Sequence, residues 1–147
     1  SFGAIMQIKR ILVICIGNIC RSPMAEYFFF FFYPHLQIES AGIAGMVGHA
    51  ADEKASLCMQ SLGIDMSPHV ARKLNAEMIK QADLVLVMSQ NQQKHLEQTW
   101  PFAKGKTFRL GHWQSKNIAD PYQRDQTFFD DTCQLIQDCI ADWKKYI

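Results

Sequence analysis

The sequence predicts an α/β fold in which one parallel sheet carries helices on both faces. Short apolar runs such as Ile11 to Ile14 and Leu84 to Met88 alternate with longer segments whose apolar residues recur at helical spacing. The chain has 147 residues, which is long enough for one well-buried domain and short for two. No internal repeat or low-complexity linker divides it. We therefore expect a single domain.

The first strand leads into a segment that suits a bound anion. Ile11 to Ile14 is expected to be buried on both faces and ends beside Cys15. A tight loop follows, and then Ser22 and Pro23 favour the start of a helix, with the serine as its cap. Five residues separate Cys15 from Arg21, so a curled loop aims a nucleophile and a guanidinium at the same group.

The backbone of this loop adds further donors. The N–H groups from Ile16 to Arg21 can turn inward as a nest, and the following helix adds the positive end of its dipole. The same field favours a cysteine thiolate over a neutral thiol. The alternative is that Cys15 is a buried structural cysteine, because a cysteine and an arginine at this spacing are only moderately specific.

The helix after the loop is expected from Pro23 to about Tyr33, because Pro34 disfavours helix at the residue before it. It contains five consecutive phenylalanines, Phe28 to Phe32, which surround the cylinder at helical spacing. We expect two or three of them to pack against the sheet. The others are either simply exposed or form an apolar docking surface, and we assign the run no function.

Three more strands follow in the chain. Leu36 to Ala41 alternates apolar and polar residues, Leu84 to Met88 is uniformly apolar, and Thr107 to Leu110 is expected to be the fourth strand. Ser89 and Gln92 form a capping box that starts a helix after the third strand.

Two further helices are predicted from apolar spacing. Asp52 is expected to cap the first and Gly63 to end it, and the second is expected from Thr127 to Ile147. Cys139 lies outside the apolar stripe of the second helix. The apolar positions are Ala55, Cys58, Met59 and Leu62 in the first helix, and Phe129, Cys133, Ile136, Ile140, Trp143 and Ile147 in the second.

Composition excludes several classes of function. With 15 basic and 14 acidic residues the formal charge is +1, so there is no basic surplus for nucleic acid or for a membrane surface. No apolar run reaches the ~20 residues of a bilayer span, so membrane insertion is not expected. Five cysteines without CxxC pairing indicate free thiols in a reducing compartment, hence a cytoplasmic protein without a metal site. We interpret residues 1–5, before Met6, as an expression remnant.

The segment CIGNICRSPMAE, which begins at Cys15, closely resembles the signature of the low-molecular-weight protein tyrosine phosphatases. The resemblance continues in SAG at Ser40 to Gly42, in HVAR at His69 to Arg72, in the strand ending in Met88 and in DPY at Asp120 to Tyr122. It implies that residues 6–147 form a phosphatase domain of this family, with strand order 2-1-3-4.

The resemblance also implies a role for each site residue. Cys15 would be the nucleophile, Arg21 the phosphate-binding guanidinium and Asp120 the proton donor, with no cofactor or metal. Taken alone, Asp120 before Pro121 is ordinary turn chemistry, and a lone histidine such as His69 is usually a surface residue. The expected phosphate-binding residues are Ile16, Gly17, Asn18, Ile19, Cys20 and Ser22; Tyr122 lines the cleft, and Asn18, Ser22, Ser40 and His69 form the network that holds the loop open.

The expected activity is hydrolysis of phosphotyrosine in proteins through a cysteinyl phosphate, and Cys20 could form a disulfide with Cys15 under oxidation. The DPYQ and GHAAD segments resemble those of bacterial members, some of which dephosphorylate tyrosine autokinases that control capsule or exopolysaccharide export.

An arsenate reductase of the same fold is disfavoured because residues 83–98 contain no cysteine. A binding module without catalysis would lack Cys15 or Asp120. A phosphatase for small esters or phosphoarginine remains an alternative, although a phosphoarginine enzyme should have a small polar residue in place of Ile19.

Overall fold

A computed structural model describes residues 7–147 and contains a four-stranded parallel sheet with the order β2-β1-β3-β4. The strands are β1 (Arg10–Cys15), β2 (Gln37–Gly42), β3 (Leu84–Val87) and β4 (Thr107–Arg109). The predicted α/β class and the strand order are confirmed. The interpretation of residues 1–5 concerns a segment outside the described residues.

The helices lie on both faces of this sheet. They are α1 (Arg21–Phe32), α2 (Glu53–Gln60), α3 (Ala76–Gln81), α4 (Gln90–Thr99) and α5 (Gln126–Trp143), with short 3₁₀ turns at Pro101–Ala103, His112–Gln114 and Lys144–Tyr146. The predicted helix to Ile147 therefore ends at Trp143 and continues as a 3₁₀ turn. α3 was not predicted. It begins where the Asn75 side chain accepts a hydrogen bond from the Met78 N–H.

Two apolar layers hold the helices to the sheet. On one face Ile11, Val13 and Cys15 of β1 share a core with Phe29 of α1 and Trp143 of α5. On the other face Leu12 and Ile14 pack with Val85 of β3, Ile79 of α3 and Leu96 of α4. β1 is hydrogen-bonded to β2 and β3, so both of its faces and both of its edges are covered.

The carboxyl ends of the strands converge on one edge of the sheet. β1 ends at Cys15, and β2 ends at Gly42, whose backbone lies against the loop that follows β1. A Cβ at Gly42 would lie 2.7 Å from the carbonyl oxygen of Ile16, so only glycine permits this approach. The chain after β4 returns to this edge because the Ile118 N–H donates to the Met88 carbonyl.

The phenylalanine run of α1 is divided between core and solvent. Phe29 is completely buried, and Phe28 is half-buried against the same core, which confirms the expectation that two or three of the five pack inward. Phe30, Phe31 and Phe32 are 68, 54 and 51% exposed. A helix that packs by one side cannot bury five consecutive residues.

Cys58 and Cys133 are buried, as predicted. Cys139 is also buried although it lies outside the apolar stripe of α5, because the turn at His112–Gln114 packs on that side of the helix. Among residues 7–147, no helix combines the length and the apolar composition that a bilayer crossing requires.

We predict that Phe29→Ala lowers the free energy of unfolding by about 3 to 5 kcal/mol, because it leaves a cavity in a fully buried site. Phe30→Ala, one position along the same run, should change it by less than about 0.5 kcal/mol. Urea unfolding followed by circular dichroism measures both. Equal losses in the two variants would contradict the packing of α1.

Candidate active site

The loop between β1 and α1 is held by hydrogen bonds to its outward carbonyls. The Ile16 carbonyl accepts from the N–H groups of Ala44 and Gly45, the Gly17 carbonyl from Met46, and the Ile19 carbonyl from Asp52. A fourth carbonyl, that of Asn18, lies 2.7 Å from Nε2 of His69. In a trans peptide the N–H points opposite to the carbonyl, so the N–H groups of residues 17–20 face the other way, into the loop.

Asn18 is the hub of the loop. It has a φ of 60°, a left-handed conformation that asparagine tolerates better than most residues. Its Oδ1 accepts from the Arg72 N–H at 3.0 Å, which fixes the orientation of the side-chain amide. Its Nδ2 then donates to Ser22 Oγ at 2.8 Å and to Ser40 Oγ at 2.9 Å. The structure thus brings together the four residues predicted for the loop network.

Cys15 is joined to this network through Ser22. Its Sγ is 2.9 Å from Ser22 Oγ and its side chain is almost completely buried. Because Asn18 Nδ2 can only donate, the hydroxyl proton of Ser22 is available to the cysteine sulfur.

The predicted capping role of Ser22 is wrong. α1 begins at Arg21, Cys20 occupies the N-cap position without a side-chain hydrogen bond, and Ser22 lies inside the first turn.

Arg21 retains an unused hydrogen-bond donor. Its side chain is 4% exposed, Nη1 donates to the Ile118 carbonyl at 2.7 Å, and Nη2 lies 3.5 Å from Asp120 Oδ2. Its buried Nε has no partner among the described residues. Buried donors are nearly always paired, so this N–H marks the position of an acceptor such as a bound oxyanion.

Asp120 and Tyr122 approach the loop from the segment after β4. The Asp120 side chain is 46% exposed, and its Oδ1 accepts from the Tyr122 N–H at 3.1 Å, so the aspartate also has the turn role expected from its position before Pro121. This segment is tied down at both ends. Arg21 contacts the Ile118 carbonyl, and Lys54 Nζ donates to the Arg124 carbonyl at 2.6 Å.

These residues enclose a cleft with a volume of about 150 Å³. Its walls are largely apolar, and its floor is the loop with Cys15. The lining residues are Cys15, Ile16, Gly17, Ile19, Cys20, Arg21, Ala44, Gly45, Met46, Asp120 and Tyr122. A larger groove of about 260 Å³ lies between α3 and the amino-terminal halves of β1 and β2, but it contains no nucleophile and its charged residues are of both signs.

Glu26 and Arg72 belong to the network but were not predicted from sequence. The Ser40 hydroxyl donates to Glu26 Oε1 at 2.5 Å, and His69 Nδ1 lies 3.8 Å from the same oxygen. Arg72 Nε donates to the Ser40 carbonyl at 2.9 Å. Burial raises the pKa of Glu26, while its hydrogen bond from Ser40 and the charges of His69 and Arg72 oppose that rise. Glu26 follows Ser22 by four residues on α1, a spacing that places both on the loop side of the helix.

Cys20 lines the same cleft, and its surroundings change the pKa of its thiol. Burial, followed by the negative charge of Asp52, raises the pKa of the Cys20 thiol well above its usual range. Cys20 is therefore a neutral thiol at neutral pH. In the described part of the chain, no group of three or more His, Cys, Asp or Glu side chains is placed to hold a metal ion.

Comparisons with known proteins agree with this geometry. The family model described as "Low molecular weight phosphotyrosine protein phosphatase" matches residues 10–147. A protein named "Low molecular weight protein-tyrosine-phosphatase Ptp" from Acinetobacter johnsonii is 75% identical over 142 residues, which cover 97% of this chain and all of the relative.

Solved structures are similar as well. The structure of Vibrio vulnificus Wzb in complex with benzylphosphonate matches with a TM-score of 0.92 and 34% identity, covering 96% of this chain and 100% of the other. An arginine phosphatase, YwlE from Geobacillus stearothermophilus, matches with a TM-score of 0.86 and 31% identity, covering 90% of this chain and 88% of the other.

We predict that Asn18→Ala destabilises the protein by roughly 2 kcal/mol or more, because it removes the partners of Ser22, Ser40 and the Arg72 N–H and leaves alanine at positive φ. Phosphatase kcat/KM should fall with it, since the loop N–H groups lose their common direction. Asn91→Ala, at an exposed position of α4, is the control and should stay within about 0.5 kcal/mol. If the two variants behaved alike in urea unfolding and in turnover, Asn18 would not organise the loop.

Proposed function

Because this chain belongs to the low molecular weight phosphotyrosine protein phosphatase family, we propose that Cys15, Arg21 and Asp120 carry its hydrolytic reaction. Protein-tyrosine phosphatase activity is the premise, and the proposal assigns the chemistry to particular residues. The observation that supports it best is the buried Nε of Arg21, which has no partner among the described residues, in a cleft that Cys15 and the loop with its inward N–H groups also line.

In the first step Cys15 Sγ attacks phosphorus in line with the departing oxygen. The inward N–H groups and Arg21 bind the three equatorial oxygens, where negative charge is spread in the transition state. Asp120 donates a proton to the phenolate oxygen as the P–O bond breaks. The products of this step are tyrosine and a cysteinyl phosphate.

In the second step water attacks the phosphorus of the cysteinyl phosphate. Asp120, now a carboxylate, accepts a proton from this water, and the thiolate of Cys15 departs. Ser22 is placed to donate its hydroxyl proton to the departing sulfur, because the 2.9 Å contact to Cys15 exists and Asn18 already fills an acceptor site of the hydroxyl. The network of Asn18, Ser40, Glu26 and His69 keeps that hydroxyl in this orientation.

The walls of the cleft favour an aryl phosphate. Ile16, Ile19, Met46 and Tyr122 present apolar and aromatic surface around the entrance, which suits the ring of phosphotyrosine. The similarity to an arginine phosphatase structure raises phosphoarginine as the second candidate. A guanidinium leaving group would need polar partners where Ile19 stands, so phosphotyrosine is the better fit.

For the physiological substrate, we propose a bacterial tyrosine autokinase that acts in capsule or exopolysaccharide export, dephosphorylated in the cytoplasm. The resemblance of the DPYQ and GHAAD segments to bacterial members supports this assignment.

A substrate panel tests the assignment. We expect turnover of phosphotyrosine peptides, including the tyrosine-rich tail of an autokinase, with far slower turnover of phosphoserine and phosphoarginine peptides and no reduction of arsenate. Cys15→Ser is the blank for each substrate. If phosphoarginine were hydrolysed faster than phosphotyrosine, the proposed aryl phosphate substrate would be wrong and a phosphorylated guanidinium group would be the substrate.

We predict that Asp120→Asn slows phosphotyrosine turnover by about 10² to 10⁴, the usual contribution of general acid catalysis. The loss on p-nitrophenyl phosphate should be much smaller, because its phenolate leaves readily without a proton, whereas the phenol of tyrosine has a pKa of about 10. Single-turnover measurements of the first step over a series of aryl phosphates give the comparison. Asp131→Asn, on the exposed side of α5, is the matched control. Losses independent of the leaving group would remove Asp120 from the acid role.

A further inference from the structure

The strands of the sheet begin at the edge opposite the catalytic cleft, and most of the helices end there. α1, α3 and α4 lead into β2, β3 and β4, and a helix that connects parallel strands runs back to the edge where the next strand starts. α5 also ends there, because Lys145 and Ile147 line a surface groove together with Lys9, which precedes β1. We call this surface the amino edge. The reaction proposed above uses none of its residues.

Hydrogen bonds join the strand starts and helix ends of the amino edge. Asp83 Oδ2, just before β3, accepts from the N–H groups of Lys9 and Arg10 at 2.9 Å each, which joins β3 to the start of β1. Lys106 Nζ, just before β4, donates at 2.8 Å to the carbonyl of Ala82, the residue that ends α3. The amino edge is therefore one continuous surface.

Aromatic side chains are exposed at two places on this surface. Phe30 to Phe32, the last three residues of α1, are each more than half exposed, and His35 in the turn that follows lines the groove described above. Phe102 is 44% exposed in the 3₁₀ turn after α4, with Lys80 Nζ 5.5 Å from the centre of its ring. Exposed apolar surface bordered by polar residues is typical of interaction sites.

Six exposed basic side chains accompany these aromatic residues, and within residues 7–147 none of the six forms an ion pair with a carboxylate. Three of them lie at the ends of α3 and α5, where lysine also offsets the helix dipole. The other three precede or begin strands and have no such role. The six are Lys9, Arg10, Lys80, Lys104, Lys144 and Lys145.

The formal charge of +1 conceals this asymmetry. The amino edge holds six of the 15 basic residues, with Asp83 and with Asp142 in the last turn of α5 as acidic neighbours. Nine basic and 12 acidic residues are left for the rest of the chain, which is therefore net negative. The charge is divided so that one edge attracts an anionic surface and the remainder is repelled by it.

We propose that the amino edge docks on an anionic lipid surface. Proteins that lie on a membrane insert aromatic side chains at the boundary between headgroups and acyl chains, and their lysines and arginines attract the lipid phosphates. A second copy of the chain fits less well, because a two-fold dimer through this edge would bring the two basic sets together. The cleft at the opposite edge faces away from the lipid and stays open to a protein substrate.

The test is co-sedimentation of the full chain with vesicles. We expect binding to vesicles of phosphatidylglycerol and phosphatidylcholine in equal amounts, no binding to phosphatidylcholine alone, and a bound fraction that falls as salt is raised. Lys144→Gln with Lys145→Gln should weaken binding by about tenfold or more, since each basic residue near the lipid contributes roughly fivefold. Phe30→Ser with Phe31→Ser should weaken it by about tenfold or more through lost apolar burial.

Matched controls change residues outside the amino edge. Lys94→Gln with Lys116→Gln removes the same charge from exposed positions of α4 and of the segment after β4, and Leu57→Ser removes an exposed apolar side chain of α2. Both should bind vesicles like the parent chain. Turnover of p-nitrophenyl phosphate in solution reports that each variant is folded, and the parent should retain this turnover when it is bound to vesicles.

Several results would overturn the proposal. They are absence of binding to the anionic vesicles, equal binding to phosphatidylcholine alone, and equal losses in the matched controls. A lipid-free dimer in sedimentation equilibrium that Phe30→Ser with Phe31→Ser dissociates would assign the amino edge to a second copy of the chain. Loss of p-nitrophenyl phosphate turnover on the vesicles would show that the cleft faces the lipid.

Discussion

The site depends on the fixed direction of the peptide groups between β1 and α1. The carbonyls of Ile16, Gly17, Asn18 and Ile19 are all bonded to outside partners, which leaves the N–H groups behind them no direction except inward. An N–H cluster of this kind would be unstable alone, because the aligned dipoles repel one another. It persists because Asn18 accepts positive φ and because Gly42 allows β2 to lie against the loop.

The parallel sheet brings distant parts of the chain to this loop. Strands with the same direction end at the same edge, so Cys15 at the end of β1 and Asp120 beyond β4 line one cleft although they are far apart in the sequence. Arg21 connects the two regions, since one of its nitrogens holds the Ile118 carbonyl and another lies near Asp120. An anion that engages the guanidinium is thereby coupled to the position of Asp120, the proposed proton donor.

Much of this arrangement could be predicted from sequence. The first and third strands were located by apolar runs and the second by alternation of apolar and polar residues, and Cys15, Arg21 and Asp120 were singled out by their motifs. Ser22 was misassigned as a cap because its hydroxyl is used by Cys15 and Asn18, contacts that depend on the folded loop. α3 was missed because a helix of six residues is too short to show a stripe. Glu26 and Arg72 end the CIGNICRSPMAE and HVAR segments, but nothing in those segments indicates their partner, since they meet Ser40 only through packing of α1 and the 69–72 segment around β2.

The central claim is that Cys15 carries the phosphoryl group during turnover, and rapid-quench mass spectrometry tests it most directly. Enzyme mixed with excess phosphotyrosine peptide should gain the mass of one phosphoryl group within the first turnover. Peptide mapping should place this group on Cys15, and Cys15→Ser should show neither the adduct nor turnover. A phosphoryl group on any other residue, or turnover that persists in Cys15→Ser, would contradict the account.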